Sequence, residues 1–324
     1  MIVVAGEALI DLVPAPRGGS PEEELPALLP RRGGGPYNTA IALGRLGSAV
    51  AFCSRLSRDT FGTALLDGLH AAGVEATLVQ RGDEPTTLAV ADISPGGSAG
   101  YGFYADGTAD RLFTVPEALP DAVRALSFGT CSLVLEPGAT AYETLLRREA
   151  GRGLFTALDP NVRPALIPDP AAYRARFRSW LPYVTLLKLS EEDARWLAGA
   201  EESCGAGDGD GSVVESAVRE WLAAGPAAVV LTRGGDGLTV WTEGGSAVSV
   251  PAVRGPVVDT IGAGDTVNAA LLHRLHGHDA LSRAALTTLG TDDWRDILTF
   301  AARAAALTCA RAGAEPPWAS ELTR

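Results

Sequence analysis

Lysine is almost absent from this chain. Of its 27 basic residues only Lys188 is a lysine, and the others are arginines. A Gly-rich phosphate loop of the P-loop kind ends in Lys followed by Ser or Thr, and a protein-kinase fold needs a strand lysine beside its own Gly-rich and acidic signatures. Lys188 stands in Leu187-Lys188-Leu189 and fits neither pattern. Cysteine is also scarce. Cys53, Cys131, Cys204 and Cys309 lie far apart with no Cys-x-x-Cys pair, which suits buried thiols in a reducing compartment. Positive charge falls short of negative, for a net charge of −12, so the surface as a whole repels nucleic acid and anionic membrane. Any anionic ligand must therefore be held by a local site. Long apolar runs are missing too: none reaches the ~18 residues of a membrane span. The start, Met1-Ile2-Val3-Val4-Ala5-Gly6-Glu7, has no basic segment of the signal-peptide kind. A cytoplasmic location is expected.

What is present is a globular balance of 46% hydrophobic and 20% charged residues over 324 positions, enough for two domains or one large α/β unit. Short β-branched or apolar runs alternate with amphipathic Ala/Leu-rich segments, the pattern of a parallel sheet covered by helices. Strands are expected at 2–5, 49–53, 125–128, 154–158, 184–187, 227–231, 238–241 and 247–250. Helices are expected at 37–46, 60–72, 142–150, 191–198, 213–223, 263–275 and 294–312, the second of them capped by Asp59. One stretch breaks the alternation: 86–113 reads as two strands around the turn Ser94-Pro95-Gly96-Gly97-Ser98. With 9–13 and the loop-rich 14–35 it is expected to form a small second sheet, a lid with segments at roughly 9–35 and 84–113 inserted in one domain spanning 1–324. The Gly-rich 201–212 reads as a polar loop.

The strongest local signal runs from Val257 to Ala270. An apolar, strand-like run ends at Asp259, and Gly262, Ala263 and Gly264 then lead into a helix. Bare backbone N–H groups at a helix N-terminus can surround an anion without any lysine. Asp265, in the same first turn, would remain ionised beside that anion hole and could accept a proton from an attacking hydroxyl. Taken alone, the same residues could be an ordinary helix start.

Asp259-Thr260-Ile261-Gly262-Ala263-Gly264-Asp265 resembles the C-terminal signature of the PfkB/ribokinase family of sugar kinases. The resemblance continues in order along nearly the whole chain, through Gly6-Glu7-Ala8-Leu9-Ile10-Asp11, Gly34-Gly35-Pro36-Tyr37-Asn38 and Asp59-Thr60-Phe61-Gly62. It goes on through Asp159-Pro160-Asn161-Val162-Arg163, Lys188-Leu189-Ser190-Glu191-Glu192-Asp193 and Thr232-Arg233-Gly234-Gly235-Asp236-Gly237. It implies a ribokinase-like three-layer α/β/α sandwich with a small β-sheet lid, and ATP- and Mg²⁺-dependent phosphorylation of a sugar hydroxymethyl group.

By the same resemblance Asp265 is the base, and Gly262, Ala263 and Gly264 form the anion hole. Asp11, Gly34, Gly35, Asn38 and Arg163 hold the sugar, with Tyr101 and Phe103 of the lid facing it. Thr232, Gly234, Gly237, Lys188 and Ser190 lie on the nucleotide side, and Glu192 and Asp193 reach a metal through water. A monovalent cation and a homodimer joined through the lid are further expectations. Three features depart from the family pattern. Ser190 and Asp193 stand where Asn and Glu are usual, Phe103-Tyr104 is followed by Ala105 in place of a lid arginine, and Phe300-Ala301-Ala302-Arg303 lacks an adenine-side Asn. A missing lid cation argues against a carboxylated sugar. The phrases Phe128-Gly129-Thr130, Leu135-Glu136-Pro137 and Asp159-Pro160-Asn161-Val162-Arg163 look most like fructokinases, which puts fructose first. Another substrate of the family (ketodeoxygluconate, ribose, a nucleoside or a sugar phosphate) and a non-catalytic sugar- or nucleotide-binding protein are the alternatives. The histidines His273, His276 and His278 read as a solvated helix end, and Trp180, Trp196 and Trp221 as core.

Overall fold

The computed structural model describes residues 1–15, 27–93, 99–200 and 210–322. The expected turn at 94–98 and most of the expected loop at 201–212 lie outside them. In chain order the elements are β1 (Ile2–Ala5), β2 (Leu9–Pro14), β3 (Leu28–Gly33), α1 (Gly35–Arg45), β4 (Val50–Ser57), α2 (Thr60–Ala71), β5 (Val79–Gly82), β6 (Leu88–Ile93), β7 (Ala99–Tyr104), β8 (Ala125–Gly129), α3 (Gly138–Gly151) and β9 (Phe155–Asp159). They continue with α4 (Pro170–Trp180), β10 (Leu186–Ser190), α5 (Glu191–Ala198), α6 (Asp210–Ala224), β11 (Ala228–Thr232), β12 (Leu238–Thr242), β13 (Ala247–Val250), α7 (Ala263–Gly277), α8 (Arg283–Leu286), α9 (Thr291–Cys309) and α10 (Ala319–Leu322).

The large sheet has the order β13-β12-β11-β10-β9-β8-β1-β4-β5, parallel from β5 to β11 and antiparallel at the β12 and β13 edge. Side chains alternate between the faces of a strand, so each central strand feeds two cores. Val4, Phe52, Phe155, Leu186 and Val230 pack with α1, α2, α7 and α9, whereas Val3, Leu126, Leu158, Leu187, Leu189 and Val229 pack with α3 to α6. This is the expected three-layer α/β/α arrangement. Trp180, Trp196 and Trp221 are buried in the second core.

A smaller sheet of order β3-β2-β6-β7 stands apart from the large one. The β6 and β7 strands pair antiparallel, with Ala89 opposite Phe103, and β2 joins β6 in parallel, with Asp11 opposite Ala89. The period-2 rule then places Asp11 and Phe103 on one face of this sheet and Ile10, Leu88 and Tyr104 on the other. The strand-like run that ends at Asp259 is loop. Val257 and Val258 are largely exposed, so the run has no core face to bury. Instead the Val258 and Asp259 N–H groups donate to the Cys309 carbonyl, at 2.8 and 3.2 Å, and Asp259 Oδ2 accepts from the Gly313 N–H at 2.8 Å.

Candidate active site

The strand β1 has β4 on one side and β8 on the other, so the strand order reverses at the middle of the sheet. Open α/β sheets hold ligands at the carboxyl ends of strands next to such a reversal. Two cavities open there. The first, of about 220 Å³, takes Glu7 and Asp11 from the chain after β1, Asn38 from α1, Thr130 after β8, Asn161 and Arg163 after β9, Phe103 from β7, and Asp265 from α7. The second, of about 290 Å³, runs along Thr232, Gly234 and Gly237 after β11 to an apolar end walled by Val253, Ala302, Ala305, Ala306 and Cys309. Thr260 and Gly264 line both.

Asp265 stands where the cavities meet. It is buried, and its Oδ2 accepts a hydrogen bond from Asn38 Nδ2 at 2.9 Å. Burial raises its carboxyl to about 6, and the negative charge of Asp159 adds to the rise, while the Asn38 bond and the charges of Lys188 and Arg163 oppose it. The residue before its helix, Gly262, has φ 75°, and a Cβ there would lie 2.6 Å from the Cβ of Ala314, so only glycine fits this turn. The Ala263 N–H donates to the Thr260 carbonyl at 3.2 Å, whereas the Gly264 N–H belongs to the first turn of α7 and has no intrahelical acceptor.

On the first cavity's other walls, burial raises the Asp11 carboxyl to about 6 against the pull of Arg163. Glu7 is buried deeper: its Oε2 accepts from the Ser132 N–H at 2.9 Å, while Oε1 has no partner among the described residues. Burial pushes this carboxyl up to about 7. Thr130 and Asn161 both have positive φ, 61° and 39°, a conformation that non-glycine residues keep only where the surroundings enforce it. Asn161 Nδ2 donates to Thr130 Oγ1 at 3.3 Å, and Asn161 Oδ1 accepts from Arg163 at 2.7 Å. A Cβ on Gly35 would overlap Thr130 Oγ1 and come within 3.2 Å of Asp265 Oδ1, so glycine at the start of α1 keeps this polar corner open.

The first cavity thus collects Asp265, Gly262, Gly264, Asp11, Gly34, Gly35, Asn38, Phe103 and Arg163, and the second Ala263, Thr232, Gly234 and Gly237. Tyr101 belongs to β7 opposite Ala91, but its side chain lies outside the described residues. Ser190, Glu192 and Asp193 line neither cavity. Ser190 caps α5 and accepts from the Asp193 N–H at 3.0 Å, and the Asp193 carboxylate accepts from the N–H groups of Ser190 and Val162 at 3.2 and 2.8 Å. Glu192 is exposed. Lys188 is the third residue of the five in β10, not its end, and pairs with Asp159 at 2.7 Å. Sequence reasoning passes over Glu7, Thr130 and Asn161. The motifs containing them are visible, but a positive φ at threonine or a carboxylate turned inward leaves no local signal.

The family model for pfkB family carbohydrate kinases matches residues 1–321. The chain belongs to that family. A fructokinase of Rhizobium leguminosarum bv. trifolii is 37% identical over 89% of this chain and 84% of its own length. Fructokinase-1 of Zea mays is 31% identical over 85% and 83%. The crystal structure of a fructokinase from Xylella fastidiosa with bound ATP superposes with a TM-score of 0.86 at 27% identity, covering 99% of this chain and 96% of that one. As a carbohydrate kinase of the pfkB family, the protein must bring a phosphoryl donor and a sugar hydroxyl together, and among the described residues Thr260 and Gly264 line both of its cavities.

Proposed function

We propose that this pfkB family carbohydrate kinase transfers the γ-phosphoryl group of ATP to a hydroxymethyl oxygen of fructose. The observation that carries the reading is the junction itself: a polar cavity and an apolar-ended one meet at Gly264, with the buried carboxylate of Asp265 beside it. Asp11, Gly34, Gly35, Asn38 and Arg163 hold the sugar in the first cavity, with Phe103 facing it from the small sheet. Thr232, Gly234 and Gly237 follow the nucleotide phosphates and ribose, and the base lies against the alanines of α9, while Ser190 caps α5 outside both cavities. Asp265 takes the proton of the hydroxyl as its oxygen bonds to the γ-phosphorus. The bond from that phosphorus to the bridging oxygen breaks, and ADP leaves with the electron pair. Phosphoryl transfer asks mainly for positioning and charge stabilisation, which the N–H groups of Gly262 and Gly264 and the positive end of α7 provide, while the Ala263 N–H is held by Thr260.

The relatives named fructokinase support fructose as the acceptor. So does a cavity wall whose one cation among the described residues, Arg163, is already bonded to Asn161 and Val162. Mg²⁺ accompanies ATP in this reading and neutralises charge on its phosphates. Both Asp193 oxygens already accept backbone N–H bonds, so Asp193 and the exposed Glu192 suit a water-mediated contact with an ion carried by the nucleotide. A monovalent cation belongs to the same reading. The small sheet acts as a lid that excludes water from the transferred group, and the exposed Leu28 and Tyr104, on its face away from Asp11, offer a surface for a second copy in a homodimer. No helix among the described residues is long and apolar enough to cross a membrane, and a cytoplasmic location completes the reading.

The test is ADP release with fructose, ribose, ketodeoxygluconate, tagatose phosphate and nucleosides offered in turn. Fructose is expected to give the highest kcat/KM, and release without sugar to be far slower. A different sugar in first place would reassign the substrate. Release that no sugar accelerates would leave a binding protein.

A further inference from the structure

We propose that Lys188 supplies the positive charge that stabilises the phosphoryl group in transit, acting from beneath the backbone of Gly264. The inference rests on the kinase reading above and concerns a residue that lines neither cavity. Leu187 and Leu189 turn into one core, and Leu186 into the other. Lys188, two residues along from Leu186, therefore points toward α7. There its ammonium lies 2.7 Å from Oδ2 of Asp159, the last residue of the neighbouring β9, and both side chains are about 5% exposed. A Cβ placed on Gly264 would be 3.0 Å from Lys188 Nζ, so the charge sits just under the bare backbone of the first turn of α7.

This is an adverse place for a cation. The N-terminus of a helix carries the positive end of its dipole, and a buried ammonium there is opposed by the helix as well as by lost hydration. Asp159 offsets part of the cost with one oxygen. Its Oδ1 is buried and has no partner among the described residues, so the pair is incompletely satisfied. Helix start, ammonium and glycine backbone together suit an anion larger than one carboxylate, and the group that passes Gly264 in the proposed reaction is a phosphoryl in transit. Lysine is also the residue that fits. Its ammonium is a compact point charge that fits beside a residue with no Cβ, whereas arginine carries its charge on a broader planar fork. A chain that uses arginine at every other basic position keeps lysine at this one. The ammonium donates hydrogen bonds and keeps its proton; the proton of the sugar hydroxyl still goes to Asp265.

Removing one partner of a buried pair strands the other, whereas replacing both with apolar side chains can restore stability. That separates the proposal from a purely structural role. Lys188→Met is expected to lower kcat about 100-fold or more, as loss of a transition-state donor does, with KM for ATP changed by less than about threefold. The double variant Lys188→Met/Asp159→Leu is expected to recover the wild-type melting temperature and to keep the low kcat. Lys188→Arg should fall as far as Lys188→Met. Recovery of kcat in the double variant, or wild-type kcat in Lys188→Arg, overturns the proposal while leaving the kinase reading intact. A wild-type protein whose ADP release no sugar accelerates overturns both.

Discussion

Three carboxylates around one cavity differ in what their burial is for. Asp265 has Asn38 as a hydrogen-bond donor and stands at the junction of the cavities, and Asp11 lines the first of them. Glu7 is buried with a single backbone donor and an unpartnered oxygen, which ties the chain after β1 to the turn at Ser132 at a cost in ionisation. Its carboxyl is raised from the ordinary 4.5 to about 7, so the folded chain holds a proton that the unfolded chain has released. The stability it contributes is complete below the ordinary value and is lost as the pH rises through about 7. Glu7→Gln keeps an acceptor for the Ser132 N–H and cannot ionise. Its melting temperature should gain on that of the wild type between about pH 5 and about pH 8, and parallel curves would show that burial does not tune this group. The bases, amides and glycines of the site are legible from their motifs. Glu7, Thr130 and Asn161 are not, because their roles arise from a contact across the sheet and from a strained backbone.

Among the elements, α2 is read almost to the residue, since Asp59 has a capping residue's place before an apolar stripe. The structure gives that cap a wider role. Asp59 accepts from the Gly62 N–H at 2.7 Å and also from the N–H and hydroxyl of Thr86, at 2.9 and 2.7 Å, just before β6. One carboxylate thus starts a helix and anchors the entry to the small sheet. Asp59→Ala should lower the unfolding free energy in urea by about 1–2 kcal/mol at pH 7, and an unchanged midpoint would reduce these bonds to ornament. Elsewhere local pattern misleads. The apolar run ending at Asp259 looks like a strand but stays loop, with Val257 lining the second cavity and the Val258 and Asp259 N–H groups taken by the Cys309 carbonyl. The helix α4 is absent from the expected elements although Tyr173, Phe177 and Trp180 stand at helical spacing, because the three arginines Arg174, Arg176 and Arg178 mask the stripe in composition. The acids beside His278, Asp293 and Asp296 of α9, come from another helix and are invisible in the local sequence.

At the scale of the molecule, alternation along each central strand divides the side chains between two helical layers and leaves the strand ends for chemistry. Two distant segments, β2 with β3 and β6 with β7, build the small sheet beside the first cavity. A chain of net charge −12 with a single lysine can handle an anionic donor in the proposed reading because the start of α7, at the junction of two cavities, offers backbone N–H groups to a phosphate. The account's central claim is that Asp265 at this junction activates the sugar hydroxyl. It is tested most directly by ADP release with saturating ATP, with and without fructose, in the wild type and in Asp265→Asn, which keeps the size of the side chain. The account predicts release that depends on fructose in the wild type and falls about 100-fold or more in the variant. Fructose-dependent release at the wild-type rate in Asp265→Asn would contradict it.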